Sequence, residues 1–317
     1  MRGWIGGDRE WAGRVFPTGC PRTPAGGGVG RDPATTDTRA MTTAGRLVAA
    51  TLAALALGIA SPAPARGPGA DGRFERRSSE NFILYQDVDL GHRTGWRGSN
   101  QFEREVLASL ESAHDALRDL LGVEPRQRVL VTIYDPAVFD SRYAGLTRFP
   151  VAGFYAGSIR VRGDTRLSSD LARVLHHEYV HAALESAAPS LALPALWNEG
   201  LAEWFARRAL GEPIFDPGEG EFLASAGRGG EWIPLHALLV PSFAGLDPRS
   251  AALAYLESRA FVAFLARERG ERTLRDLFRS LVRIRSFERA LAKSTGNDLA
   301  GLEAALLQGL GVDRAGS

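Results

Sequence analysis

Apolar positions change their period near the middle of the chain. Between residues 82 and 162 they fall in short runs rich in β-branched and aromatic residues: Phe82-Ile-Leu-Tyr85, Arg128-Val-Leu-Val-Thr-Ile-Tyr134, Val151-Ala-Gly-Phe-Tyr155 and Ser158-Ile-Arg-Val-Arg162. Runs of this kind predict strands. Asp135-Pro136 stops the second, and Ala156-Gly157 between the last two predicts a hairpin. One amphipathic helix interrupts them, from Phe102 to Leu121, ending at Gly122. From Ser168 onward the spacing turns helical, with helices expected near 168–187, 195–210, 250–269, 272–284, 286–294 and 298–309. Pro189, Pro194, Gly270 and Gly296 separate them, and the Gly- and Pro-rich stretch from Gly211 to Asp247 is expected as irregular chain, either a lid or an inert loop. Strands first and helices afterwards predict an α+β fold. A small mixed sheet with helices (81–165) precedes a largely helical part (166–312), with a cleft between the layers.

The amino terminus follows a different logic. Residues 1–40 are rich in Gly, Pro, Thr and Arg without periodicity, which reads as disorder or as an extension upstream of the true start. From Met41 come Arg46, an apolar stretch from Leu47 to Ala60, and Ser61-Pro-Ala63-Pro-Ala65. That order predicts a secretory signal at 41–65, cleaved after Ala65, followed by a tether at 66–80. About 14 apolar residues are short for a bilayer core of about 30 Å, although an uncleaved anchor and a buried core helix are the alternatives. With the signal cleaved, the product is secreted or periplasmic and has no stable membrane insertion.

Charge and cysteine content narrow the chemistry. The 38 basic and 37 acidic residues give a net charge of +1, which leaves no basic excess for a nucleic acid partner. Loss of residues 1–65 removes seven Arg and four acids and leaves 31 basic and 33 acidic groups. The single cysteine, Cys20, excludes an intramolecular disulfide and a thiolate metal cluster, so any metal must be held by His and carboxylates. Three of the six histidines, His176, His177 and His181, fall within six residues.

His177-Glu178-Tyr179-Val180-His181 has the form HExxH. Residues four apart on a helix lie about 6 Å apart on one face, so two imidazoles can reach one tetrahedral cation while Glu178 projects beside them as a general base. Ser168, Ser169 and Asp170 supply the helix start. Leu184 and Ala187 stand where a metzincin continuation needs Gly and His, which excludes that branch. His176 has no histidine four residues on and reads as a supporting or packing residue; His92 and His114 are isolated and read as surface. Seventeen residues separate His181 from Glu199, and Pro189 and Pro194 break the chain between, so a second helix can return antiparallel. On that helix Trp197, Leu201, Trp204 and Phe205 cluster on one side, with Glu199 and Glu203 pointing away as either a metal-facing or an ordinary solvated face.

Leu175-His-His-Glu-Tyr-Val-His-Ala-Ala-Leu184 and Leu193-Pro-Ala-Leu-Trp-Asn-Glu-Gly-Leu-Ala-Glu-Trp-Phe205 together resemble the gluzincin zinc peptidases, and among them the bacterial peptidase MA-like family. The resemblance spans roughly residues 80–310, and the gap between the motifs is one or two residues shorter than in the best-known gluzincin groups. It implies a zincin-like fold, hydrolysis of a peptide or protein substrate, and Zn²⁺ held by His177, His181 and Glu199. It further implies Glu178 as general base on a metal-activated water, Glu203 orienting a ligand imidazole, and a downstream tyrosine, here Tyr255, as donor to the oxyanion. Asn198 and His236 are the weaker donor candidates. The strand 158–162 is expected either as an edge that binds substrate backbone or as an ordinary hairpin arm. Two other readings compete: an interaction module in which the metal is structural, and an aminopeptidase. The latter would need a GxMEN motif that a chain with only Met1 and Met41 does not contain.

Overall fold

The computed structural model describes residues 74–88 and 91–312; the expected signal at 41–65, the segment before it and the side chain of His92 lie outside the described residues. Five strands form one mixed sheet in the order β1-β2-β3-β5-β4: β1 (Glu75–Ser78), β2 (Phe82–Asp87), β3 (Val129–Tyr134), β4 (Gly153–Tyr155) and β5 (Ile159–Arg162). The central pairs are parallel, with Leu84 opposite Val131 and Ile133 opposite Val161, and the outer pairs are antiparallel, with Arg76 opposite Tyr85 and Gly153 opposite Val161. Parallel neighbours need a crossover. The long α1 (Gly91–Leu121) supplies it between β2 and β3, and α2 (Pro136–Tyr143) with β4 supplies it between β3 and β5. The rest is helical: α3 (Ser169–Ala187), α4 (Ala195–Ala209), α5 (Pro217–Gly229), a 3₁₀ turn (Leu235–Leu238), α6 (Pro248–Arg269), α7 (Arg272–Ile284), α8 (Phe287–Thr295) and α9 (Leu299–Gly309). The α+β architecture is therefore as the residue pattern predicts, and among the described residues no helix is long and apolar enough to cross a membrane.

Several local differences have physical causes. Residues 75–78, expected in the tether, pair with β2 as an outer strand. Asp135-Pro136 does more than stop β3: the Asp135 carboxylate accepts the Ala137 N–H at 2.9 Å and Pro136 occupies the first turn of α2, so two residues end one element and start the next. The stretch expected to be irregular contains α5, whose start is a capping box between Asp216 and Glu219 with Pro217 in the first turn. The same stretch supplies the Val240 carbonyl that accepts the Ala195 N–H at 2.7 Å, one of the otherwise unpaired donors at the start of α4.

α3 is clamped from two sides. Against the sheet, a Cβ on Gly153 would lie 2.6 Å from Val174 Cγ1, so glycine is required for β4 to come this close. The Tyr179 ring stands edge-on to Phe82 at 5.3 Å. Against α1, Tyr179 Oη is 2.8 Å from His114 Nδ1, and His176 Nε2 is 2.8 Å from Ser109 Oγ. His114, expected at the surface, is thus buried as the polar partner of a buried tyrosine, and His176 is a packing residue that faces α1. Burial pushes the His176 pKa down to about 4 despite its backbone contact with Ser109, so it works as a neutral imidazole.

α4 lies against α6 at very short range. A Cβ on Gly200 would meet the Ser258 carbonyl oxygen at 2.3 Å and its carbon at 2.7 Å, both rigid backbone atoms. Gly200→Ala is expected to destabilise the fold by about 1–3 kcal/mol through overpacking, read as a lowered midpoint in urea unfolding.

One carboxyl in this core has no cation beside it. Glu257 on α6 accepts the Ile233 N–H at 3.0 Å, and its second oxygen is buried without a hydrogen bond among the described residues. Glu303 on α9, which accepts Trp232 Nε1–H at 2.8 Å, adds negative charge nearby. Burial first, and Glu303 in addition, outweigh the Ile233 bond and raise the Glu257 pKa from 4.5 to about 9. Folded chains therefore keep this proton where unfolded chains release it, and the associated stability is complete below pH 4.5 and lost as pH rises towards 9. Glu257→Gln should flatten that loss, so unfolding free energies of variant and parent diverge in the variant's favour between pH 5 and pH 8.5, by at most about 1.4 kcal/mol per pH unit.

Candidate metal centre

Ser168 starts α3 by accepting the Leu171 N–H at 3.3 Å, and the helix then runs without Gly or Pro to Ala187. The chain turns through Pro189 and Pro194, and α4 begins with the Trp197 and Asn198 N–H groups bonded to the Pro194 carbonyl at 3.0 and 2.9 Å. His177 meets both Glu199 and Glu203, whereas His181, one turn later, meets Glu199 and Asn198. Residue numbers rise on one helix as they fall on the other, as in an antiparallel pair. The glutamates of α4 do not form a solvated face: the helix is buried throughout from Ala195 to Arg207.

His177, His181 and Glu199 form a buried group that can hold a metal ion, with one ligand atom from each lying within 4.8 Å of the others. Glu199 Oε2 is 3.4 Å from His177 Nε2 and 3.6 Å from His181 Nε2. A tetrahedral site with bonds of about 2.0–2.1 Å separates its ligand atoms by about 3.3–3.4 Å, so these gaps match the requirement closely. His181 Nε2 and both Glu199 oxygens are buried and make no well-aligned hydrogen bond within the described residues. Buried polar atoms are ordinarily satisfied by well-aligned hydrogen bonds, and atoms that lack them at this meeting point fit a cation as their common partner.

The far sides of the imidazoles are set by α4. His177 Nδ1 stands 3.2 Å from Glu203 Oε1, and His181 Nδ1 stands 3.1 Å from Asn198 Oδ1. An acceptor at each Nδ1 favours a proton there, so Nε2, the nitrogen that faces Glu199, is the one a cation would use. Burial alone would push His177 down, but the carboxylates of Glu199, Glu203 and Glu178 outweigh it and raise its pKa to about 10. Burial likewise opposes ionisation of Glu199 and Glu203. The charges and hydrogen bonds of His181 and His177 overcome it at Glu199; those of His177, with Arg259 and Arg207, overcome it at Glu203; both carboxyls are held below their ordinary range. Carboxylates held ionised beside the imidazoles supply negative charge suited to a divalent cation.

The other expected residues fall in different places. Glu178 is fully buried beside the two ligand histidines. Tyr255 is on α6, one turn before the Ser258 that touches Gly200, and its ring is edge-on to Phe243 at 5.3 Å. His236 is exposed on the 3₁₀ turn. Strand 158–162, expected either as an edge or as an ordinary hairpin arm, is the hairpin arm: β5 pairs antiparallel with β4 and lies between β3 and β4, and the outer position belongs to β4, which packs on α3. Arg259 and Arg207, both 2% exposed, were not legible as parts of the centre. The one available signal was Arg259 next to the apolar run Ala260-Phe-Val-Ala-Phe-Leu265, and arginine in a helix ordinarily reads as surface.

His177→Ala should abolish stoichiometric binding of a divalent metal, measured by metal analysis after dialysis; full retention in that variant would remove His177 from the ligand set. The chain matches no protein-family model and no curated protein. The metal-centre assignment accordingly rests on the convergence of three ligand atoms from two antiparallel helices.

Proposed function

We propose that the chain is a zinc-dependent peptidase of the gluzincin type, exported if residues 41–65 act as a cleaved signal. The observation that carries this reading is the meeting of two α3 imidazoles with the α4 carboxylate at 3.4 and 3.6 Å, with Glu178 adjacent on the same helix. Two nitrogens and one carboxylate oxygen are a donor set that suits zinc and leaves a fourth position for chemistry. Zn²⁺ in such a site supplies Lewis acidity, which polarises a scissile carbonyl and lowers the pKa of water.

The chain's own residues do the rest. Glu178 takes the proton of the attacking water and passes it to the leaving amide nitrogen, the general acid–base role for which a carboxylate beside the ligand histidines is suited. Glu203 and Asn198 keep the imidazoles in the tautomer that faces the cation. Tyr255 is the candidate donor to the developing oxyanion. The outer edge of β4 offers backbone groups to an extended peptide laid beside α3, one of the two roles expected for 158–162.

A second reading, with the metal as a structural fastener, draws support from burial: His177, Glu178 and Glu199 are at most 1% exposed and His181 is 5% exposed. Glu178 weighs against it, because a fastener needs no base and a fully buried carboxylate is costly to retain without a role. Glu178→Gln separates the two. Under the peptidase reading it keeps zinc while cleavage of an unfolded casein-type substrate falls roughly 10²- to 10⁴-fold. Zinc bound equally by both proteins, with no cleavage by either, would establish the fastener instead.

A further inference from the structure

We infer that Arg259, anchored by Glu219, is a positioning residue for the metal centre, and that α5 and the loop before it belong to the framework of that centre. The inference rests on the metal-centre reading above. Glu203 divides its two oxygens: Oε1 faces His177 Nδ1 at 3.2 Å, and Oε2 accepts a hydrogen bond from Arg259 Nη1 at 3.4 Å. The other guanidinium nitrogen, Arg259 Nη2, lies 2.8 Å from Glu219 Oε2 on α5. Phe215, in the loop leading into α5, covers the guanidinium at 4.8 Å from the ring centroid. Arg207 completes the set, with Nη2 at 3.2 Å from Glu219 and 3.3 Å from Asp216, and Nη1 donating to the Pro213 carbonyl at 3.0 Å.

A continuous path of contacts therefore runs from the ligand His177 through Glu203 and Arg259 to Glu219, on the helix that follows α4 and outside both motifs. Arg259 is almost fully buried and Glu203 nearly so. A carboxylate in such a place is held in one orientation only if a donor meets each of its oxygens. His177 supplies one face of Glu203. A guanidinium bridges to a second carboxylate through two separate nitrogens in a fixed plane, which the freely rotating ammonium of lysine does not provide. Without Arg259, Glu203 loses the hydrogen bond that sets the plane of its carboxylate, and with it the fixed orientation of the His177 ring. The capping box that starts α5 also uses Glu219, so helix formation in this segment and placement of the guanidinium depend on the same side chain.

The test is zinc affinity of the full chain, measured by competition with a chromophoric chelator. Arg259→Met should weaken zinc binding about 10- to 100-fold without removing a ligand. Glu219→Gln should produce a smaller loss in the same direction, and it stands in for Arg259→Met if that variant fails to fold, as judged by circular dichroism after chelator treatment. A double-mutant cycle identifies the route: in a Glu203→Gln background, Arg259→Met should change affinity by no more than about twofold, because the path through Glu203 is already cut. A general structural role would instead add its full loss to that of Glu203→Gln. Additive losses, or parent-like affinity in both single variants, overturn the inference alone if the parent binds zinc and His177→Ala does not. A parent chain that binds no zinc overturns the metal centre as well.

Discussion

A fully buried carboxylate has to be met by positive charge, and Glu199 is the carboxylate around which this molecule is organised. It is reached by two imidazoles from a different helix, and its own oxygens are left without a well-aligned hydrogen bond. That arrangement is stable only if the helices carrying the three groups cannot slide. Rigidity of α3 and α4 is thus a chemical requirement of the centre as well as a packing outcome.

The fold meets this requirement through contacts on both sides of the pair. α3 is pinned to the sheet by the absence of a side chain at Gly153 and by the Phe82–Tyr179 ring contact, and to α1 by two histidine hydrogen bonds. α4 is pinned to α6 by the backbone approach at Gly200 and Ser258, immediately after Glu199 in sequence. Glycine serves the same purpose at both points, since it lets two elements approach closer than any side chain allows. Large side chains such as Trp197, Phe205 and Phe261 fill the space beyond these contacts, each burial contributing on the order of 2 kcal/mol.

Polar groups inside this core are paired according to position. Near the centre, carboxylates alternate with imidazole and guanidinium groups, so each carboxylate has a nitrogen-bearing neighbour: Glu199 has His177 and His181, Glu203 has His177 and Arg259, and Glu219 has Arg259 and Arg207. Two residues before Arg259 on α6, Glu257 has a backbone N–H and another glutamate as neighbours, and it responds by holding its proton. The contrast follows from electrostatics in a medium of low polarity, where an ion is kept only beside its counter-ion and a lone carboxyl is neutral. Burial of Glu178 next to the histidines puts a base where the peptidase reading needs one, in surroundings that exclude bulk water.

The residue pattern by itself determined the α+β order, the start of α3 at Ser168, the ends of most helices to within two residues, and HExxH with its partner Glu199, because each of these is a local rule of period, cap or spacing. Residues such as Asp135-Pro136 and Asp216-Pro217-Gly218-Glu219 carried helix-start signals that composition obscured. Tertiary structure alone decided which strand is outermost, that the glutamate face of α4 is buried, that His114 of α1 and His176 of α3 face each other's helix, and that Arg259 and Arg207 lie inside. The reason is common to all of these. Whether a polar side chain meets solvent or a partner depends on which element lies across from it, and that neighbour comes from tens of residues away in the chain.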